Sequence, residues 1–342
     1  MSEGTIGRLL YGRAEDARRG YDAWAQQPVD WDVSDGDPPR LPRLQRTIAR
    51  SASVRGPGTF FGRSVRTVTF EPTEMEGWWF ERTDLSDALP FAVSARNVWT
   101  TGDVVSNIVL RAGPPHNYVR MAEHIVALKV GTGIDNLLIR MDSGDPPLFK
   151  RGSLDLVEAL EAAGTAELDR PARYFTVAEP VTVCSSSGAF LTLMPCEPGR
   201  PSLHVDCAVD FRTAIGKQRI RLPVTRDHFR YGAEARTNTS GAKMIYCKTV
   251  GKIFADIRHL GYTMENIVVA GRFGYYNEPR LEHDGKSLEA VWHRAALDLL
   301  AALALIEEGQ FVGWVISYKA GHTLDVEMIR RLYKQRMLRR LE

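Results

Sequence analysis

The chain has little cysteine, no long apolar run and no surplus of charge of either sign. Lys and Arg number 44 against 42 Asp and Glu, for a formal net charge of +2 at neutral pH. Such a balance gives no electrostatic footprint for a polyanion. Basic residues are scattered apart from a run between Arg330-Arg331 and Arg339-Arg340. That run reads as the solvated face of a last helix, where cations suit the carboxyl end, so no nucleic-acid partner is expected. The longest strongly apolar stretch, Leu297 to Ile306, falls far short of a membrane span, and no integral membrane segment is expected. The opening MSEGTIGRLLYGRAEDARRG lacks the apolar core and small-residue cleavage site of a signal peptide. Cys184, Cys196, Cys207 and Cys247 show no paired CxxC spacing and read as small buried hydrophobes in a reducing, cytoplasmic compartment. What is present, 44% apolar and 25% charged residues over 342 positions, is the composition of a globular protein with room for two domains.

Residues 1–40 stand apart as an N-terminal extension. A short helix from Leu9 to Trp24 leads into the breaker-rich Asp35-Gly36-Asp37-Pro38-Pro39. Trp24 and Trp31 offer an apolar face for packing on the body, and the extension is also a candidate site for a protein partner. From Leu44 to Phe70 short strand-like runs surround the turn Gly56-Pro57-Gly58, with further strands expected at Gly77–Arg82 and Val104–Ala112. A helix from Ala122 to Val130 is closed by Gly131 and Gly133, followed by the strand Leu137–Arg140 and a helix from Leu154 to Ala163. A similar order recurs after Pro180. Strands are expected at Ala189–Leu193, His204–Asp210, Gln218–Leu222 and Asn266–Val269, with a helix at Met244–Leu260 before the last of them. A long helix from Leu288 to Glu308, a strand from Phe311 to Tyr318 and a final helix from Asp325 complete the chain. The pattern is α+β: two similar domains, 41–165 and 171–335, each a β-sheet packed against helices, with the site between them.

Several polar residues sit where chemistry could use them. Glu123-His124 opens a helix, and a histidine there could ligate a metal while the adjacent carboxylate takes a proton from water. A surface glutamate beside a packed histidine is the ordinary alternative. Asp135 and Asn136 follow a glycine-rich turn and read as turn-makers. His322 lies between a strand and a helix, placed to act as an acid or to stabilise a developing oxyanion. Thr237 could donate a hydrogen bond to the same oxyanion, or merely bond its own turn. Asp298 lies within an apolar run, and a buried carboxylate needs a partner or a metal. His293 precedes it by five positions rather than four. On a regular helix residues five apart diverge by roughly 140°, so the two share a face only if a bulge intervenes.

Glu123, His124, Asp135, Asn136, Thr237 and His322 fall inside blocks that resemble the UDP-3-O-acyl-N-acetylglucosamine deacetylase family, the zinc amidohydrolases of lipid A synthesis. The resemblance begins at Gln45-Arg46-Thr47-Ile48, runs through Gly56–Gly58 and Arg82-Thr83-Asp84-Leu85, and is clearest in AEHIVALKVGTGIDN at 122–136. It continues in LHVDCAVDF at 203–211, Ala235-Arg236-Thr237, Asn266–Val269 and YKAGHTL at 318–324. It implies Zn2+ as cofactor, with His124 as a ligand, Glu123 activating water, Thr237 stabilising the oxyanion and His322 as the acid or electrostatic partner. The family's other ligands are a histidine and an aspartate four apart, with a lysine after the histidine. Anchoring on His293 puts Leu297 at the aspartate position, whereas anchoring on Asp298 puts Arg294 at the histidine position. A further family aspartate, which orients the catalytic histidine, is Ala301 or Ala302 in either register, and the family's Asp-Gly-Ser turn is Arg151-Gly152-Ser153.

Two readings follow. In the first, a helical bulge joins His293 and Asp298 to His124, and the chain is a divergent zinc-dependent deacetylase acting on an acylated amino sugar or its nucleotide. In the second, Arg294 and Asp298 form an i,i+4 ion pair, and the chain is a noncatalytic homologue that binds a sugar nucleotide, an acyl ligand or a protein.

Overall fold

Alternating apolar residues build the first sheet. Val68 and Phe70, Trp78 and Phe80, and Leu137, Ile139 and Met141 are all buried, as expected for strands with one face on the core. Ile139 pairs with Phe70 on one side and Phe80 on the other. The computed structural model describes residues 6–33, 41–42, 44–60, 64–102, 106–197, 199–241 and 261–341. Cys247, the helix expected at Met244–Leu260 and the start of the strand expected from Val104 lie outside them; Val109–Arg111 is strand.

The five strands of this sheet run Ala52–Pro57, Val65–Glu71, Leu137–Met141, Trp78–Arg82 and Phe91–Ala92 across its width. The central five of a second, seven-stranded sheet are Val181–Cys184, Phe190–Met194, Gly313–Tyr318, Leu203–Asp210 and Lys217–Pro223. Numbered by chain order within each half, both read 1-2-5-3-4, and in both the last strand to arrive inserts parallel to the third. A helix precedes that inserted strand in each half and another follows it. The preceding helix of the first half, Glu123–Thr132, packs against Leu299–Ala304 of the second. Asp135 and Asn136 accept the backbone N–H groups of Arg46 and Gly77 and also bond the side chains of Gln310 and Gln45.

Several elements differ from expectation. Residues 8–11 form a strand, Arg8–Tyr11, parallel to Val181–Cys184, and the helix begins only at Ala14. Trp31–Asp32 adds to the opposite edge beside Lys217–Pro223. The first segment is therefore woven into both edges of the second sheet. Its helix, Ala14–Gln26, covers the sheet's outer face, where Ala17 and Trp24 pack with Cys184, Phe190, Ala208, Ile316 and Tyr318. This explains the near-continuous burial along Val181–Cys184 and Phe190–Met194, since strands covered on both faces lose their alternation. Gly20 lets the helix approach this closely, because a Cβ there would lie 2.0 Å from the Gly188 carbonyl oxygen. The stretch between the two expected domains is strand, Thr165–Pro171 pairing with Leu44–Ile48, and just after it Tyr174–Val177 pairs with Gln310–Phe311 and Leu338–Arg340. Arg339 and Arg340 thus lie on that strand, the last helix having ended at Lys334. Among the described residues no helix is long and apolar enough to cross a membrane.

A buried ion pair fastens the first segment. Arg219 forks onto Asp206 at 2.8 and 2.9 Å and donates to the backbone oxygens of Trp24 and Gln27. Trp24 Nε1 donates to the same aspartate at 3.3 Å, with the guanidinium carbon 4.0 Å from its ring centroid. Breaking a buried pair strands a charge, whereas losing an exposed one costs little. Asp206→Ala should therefore destabilise by about 3–5 kcal/mol in urea unfolding. Asp32→Ala, which removes an exposed partner of Arg221, should cost about 0–1 kcal/mol. Equal losses would contradict this account of the attachment.

Candidate active site

The two packed central helices bring their starting segments together. Glu123 and His124 occupy the first turn of Glu123–Thr132, which begins without a side-chain cap. Met121, just before it, is buried with φ 50°, a left-handed conformation that a non-glycine residue keeps only when its surroundings impose it. Lys319, three residues before His322, has φ 53°. Both strained positions thus adjoin the residues in question.

The long helix expected from Leu288 to Glu308 is three segments: α-helix at Glu289–Trp292, π-helix at His293–Asp298 and α-helix at Leu299–Ala304. The Leu299 N–H donates to the Arg294 oxygen, five residues back. In that hydrogen-bond pattern residues five apart stand one above the other. His293 Nδ1 accordingly lies 3.4 Å from Asp298 Oδ1. The choice between two α-helical registers does not arise, because the π turn keeps both residues on one side.

The remaining residues converge on this pair. Thr237 Oγ1 lies 3.3 Å from His124 Nε2 and 3.1 Å from His293 Nε2, and the two imidazole centroids are 5.2 Å apart. His322 Nε2 is 3.6 Å from Asp298 Oδ1. Asp298 Oδ1 and His322 Nδ1 are buried and have no hydrogen-bond partner among the described residues. Glu123 is fully enclosed, and its Oε2 accepts the Ile108 N–H at 3.0 Å.

Three supporting residues were not among the expected site residues, although Ser153 lies in the turn matched to the family's Asp-Gly-Ser. Ser153 Oγ lies 2.9 Å from His124 Nδ1; a donor–acceptor bond there fixes the ring and turns Nε2 inward. Glu289 binds the backbone N and side chain of Arg236 at 2.8–3.0 Å, tying the Thr237 loop to the start of the π-bearing helix. Asp325 takes the Arg294 guanidinium in a fork at 2.6 and 2.5 Å. The expected Arg294–Asp298 ion pair is also present, at 3.7 Å, but the guanidinium makes its hydrogen bonds to Asp325. An aspartate in the first turn of a helix reads as a dipole partner, and only the tertiary fold brings Arg294 to it.

Burial, reinforced by His293, lowers His124 to about 3. Burial also lowers His293, with Asp298 opposing. Both imidazoles are therefore neutral at physiological pH, as metal ligation requires. Burial pushes Asp298 up, but His293, His322 and Arg294 outweigh it and hold the carboxyl below its usual range. Glu123 moves the other way: burial lifts it, against the pull of His322 and the Ile108 N–H.

Two neutral imidazoles and the ionised Asp298 carboxylate, whose buried Oδ1 accepts no hydrogen bond among the described residues, form a donor set that Zn2+ prefers, so these residues fit the metal. They are not closed around one position. Among the described residues no group of three or more His, Cys, Asp or Glu side chains stands close enough together to hold a metal ion. The Thr237 hydroxyl lies within hydrogen-bond reach of both imidazole Nε2 atoms.

The sequence matches the LpxC family, described as UDP-3-O-acyl N-acetylglycosamine deacetylase, over residues 45–334. Among curated relatives, the UDP-3-O-acyl-N-acetylglucosamine deacetylase of Bdellovibrio bacteriovorus is 30% identical over 293 residues, covering 85% of this chain and 90% of that protein. The proteins of the same description from a Psychrobacter species and from Solibacter usitatus are 28% and 24% identical. They cover 84% and 85% of this chain, and 92% and 91% of their own lengths.

The raised Glu123 carboxyl has a consequence for stability. A group whose pKa rises on folding stabilises the fold below its unfolded pKa and loses that contribution as pH climbs through the folded value. In metal-free protein, Glu123→Gln should thus be more stable than wild type above the ordinary carboxylate range, with the gap closing toward acid. Chemical unfolding between pH 4 and 8, on the order of this range, tests it; a variant less stable throughout would contradict the assignment.

Proposed function

The chain belongs to the LpxC family, and from that membership we propose a zinc-dependent deacetylase that hydrolyses the amide of an acylated amino sugar or sugar nucleotide. UDP-3-O-acyl-N-acetylglucosamine, the substrate in the names of the relatives, is the first candidate. The observation that carries the reading is the π turn, which sets Asp298 beside His293 and His322 with its Oδ1 accepting no hydrogen bond among the described residues. His124, His293 and Asp298 would hold Zn2+, which when bound supplies Lewis-acid polarisation of the amide carbonyl and acidifies water.

The protein's own groups divide the remaining work. Glu123, whose proton affinity burial raises, is the group that in its ionised form takes a proton from the attacking water as the water oxygen bonds to the amide carbon. Thr237 Oγ1, released from the two imidazoles it now touches, donates to the oxygen of the tetrahedral carbon. His322, beside the Asp298 carboxylate, supports the negative charge and delivers a proton to the nitrogen as the C–N bond breaks. The products are a carboxylate and a free amine. Ser153 keeps the His124 ring in place while this happens.

The noncatalytic reading took its weight from an Arg294–Asp298 ion pair. That pair is present at 3.7 Å, but the closer fork of Arg294 onto Asp325 reduces its weight, because the guanidinium is held chiefly by a different helix. A reducing cytoplasm suits the free Cys184, Cys196 and Cys207. Trp24 is buried within the chain and Trp31 packs on Tyr231 and Trp292, so we assign the first segment to holding the fold rather than to recruiting a protein.

Acetate release from UDP-3-O-acyl-N-acetylglucosamine tests the proposal. Chelation should abolish it, zinc should restore it, and Glu123→Gln should lower kcat by about 10²–10⁴. Release unaffected by chelation or by this variant would overturn the mechanism.

A further inference from the structure

Arg294 stands between two carboxylates and makes hydrogen bonds to only one. Its Nη1 is 2.6 Å from Asp325 Oδ2 and its Nη2 2.5 Å from Asp325 Oδ1, with Ser317 Oγ at 3.4 Å from Nη2. The same Nη1 lies 3.7 Å from Asp298 Oδ2, four residues along the chain. Arg294 is 5% exposed and Asp325 0%. A guanidinium this deep does not lose its proton and must have an anionic partner. Asp298 is the second carboxylate paired with it, at the spacing that favours helical ion pairs.

The order of preference is set by geometry. Asp325 presents both oxygens to the planar fork, the strongest arrangement open to an arginine. Asp298 presents one oxygen to one nitrogen at a longer distance, and its Oδ1 faces the imidazoles of His293 and His322 instead. We infer that Asp325 is a positioning residue that holds the Arg294 guanidinium off Asp298, leaving that carboxylate free to bind the metal. This rests on the zinc-site reading above. Without Asp325 the guanidinium would turn to Asp298, occupy its oxygens and bring a positive charge to the place where a cation must sit. The aspartate adds no ligand of its own; it keeps a competitor occupied.

A brace and a restraint predict different results when the same ion pair is broken from its two ends. If the pair merely joined the π segment to the helix of His322, removing either partner would loosen the site alike. If Asp325 restrains Arg294, removing Asp325 frees the competitor, whereas removing Arg294 removes it. Metal-free wild type, Asp325→Asn, Arg294→Met and the double variant should be titrated with Zn2+ against a chromophoric chelator, with circular dichroism to establish folding. Asp325→Asn should weaken zinc binding by about 10–100-fold, the usual range for groups behind a ligand. Arg294→Met and the double variant should stay within about threefold of wild type, below that range. Equal weakening in the two single variants, or an unchanged Asp325→Asn, overturns the inference while leaving the zinc site standing. Wild type that binds no zinc overturns both. Should Asp325→Asn fail to fold, the other two variants decide, because a tenfold loss in either, about the least expected of a supporting group, contradicts the restraint.

Discussion

The hydrogen-bond pattern of His293–Asp298 constrains the rest of the site. A regular α-helix over these residues would turn Asp298 about 140° from His293, out of reach of His124 and His322. The π turn closes that angle within six residues while the flanking segments stay helical. Such turns are rare and persist where packing fixes both ends. Here Trp292 is wedged against Trp31 and Tyr231 on the entering side. Gly232 lets the middle approach, since a Cβ there would lie 2.5 Å from the Ala296 Cβ. Leu299–Ala304 packs on the Glu123–Thr132 helix on the leaving side. The first segment of the chain, through Trp31, is thus linked to the residue immediately before His293.

Placing the two carboxylates in one enclosure separates their roles. Glu123, buried and accepting one backbone N–H, is pushed toward its neutral form by desolvation. Asp298, among imidazoles and a guanidinium, is held ionised. Groups driven apart in this way mark a division between proton transfer and charge stabilisation. The repeated topology explains the meeting place: each half contributes the helix that precedes its inserted strand and the start of the helix that follows it. Glu123, His124 and Ser153 come from the first half, and His293, Asp298 and His322 from the second.

Local pattern and nonlocal pairing were unequally legible in the sequence. The helix at Leu154–Ala163 and the strands at Trp78–Arg82 and Leu137–Met141 follow from apolar spacing and their bounding glycines and prolines. Arg8–Tyr11 resembles the start of the helix after it, and becomes a strand only because Val181–Cys184 offers an edge. Thr165–Pro171, polar and alternating in exposure, reads as a connector until it pairs with Leu44–Ile48. In the site, five-residue spacing with a carboxylate in an apolar run was the visible trace of the π turn. The partnership of Ser153 with His124 joins residues 29 positions apart, and that of Arg294 with Asp325 joins residues 31 apart. Neither spacing has a periodicity that could reveal it.

The central claim is that the π turn lets His124, His293 and Asp298 act on one metal ion. Anomalous diffraction at the zinc edge, from crystals of protein purified without chelator, tests this most directly. The account predicts one strong peak with an imidazole nitrogen of each histidine and an Asp298 oxygen all about 2.0–2.2 Å away. A peak elsewhere, or one at the histidines with Asp298 turned onto Arg294, would contradict it.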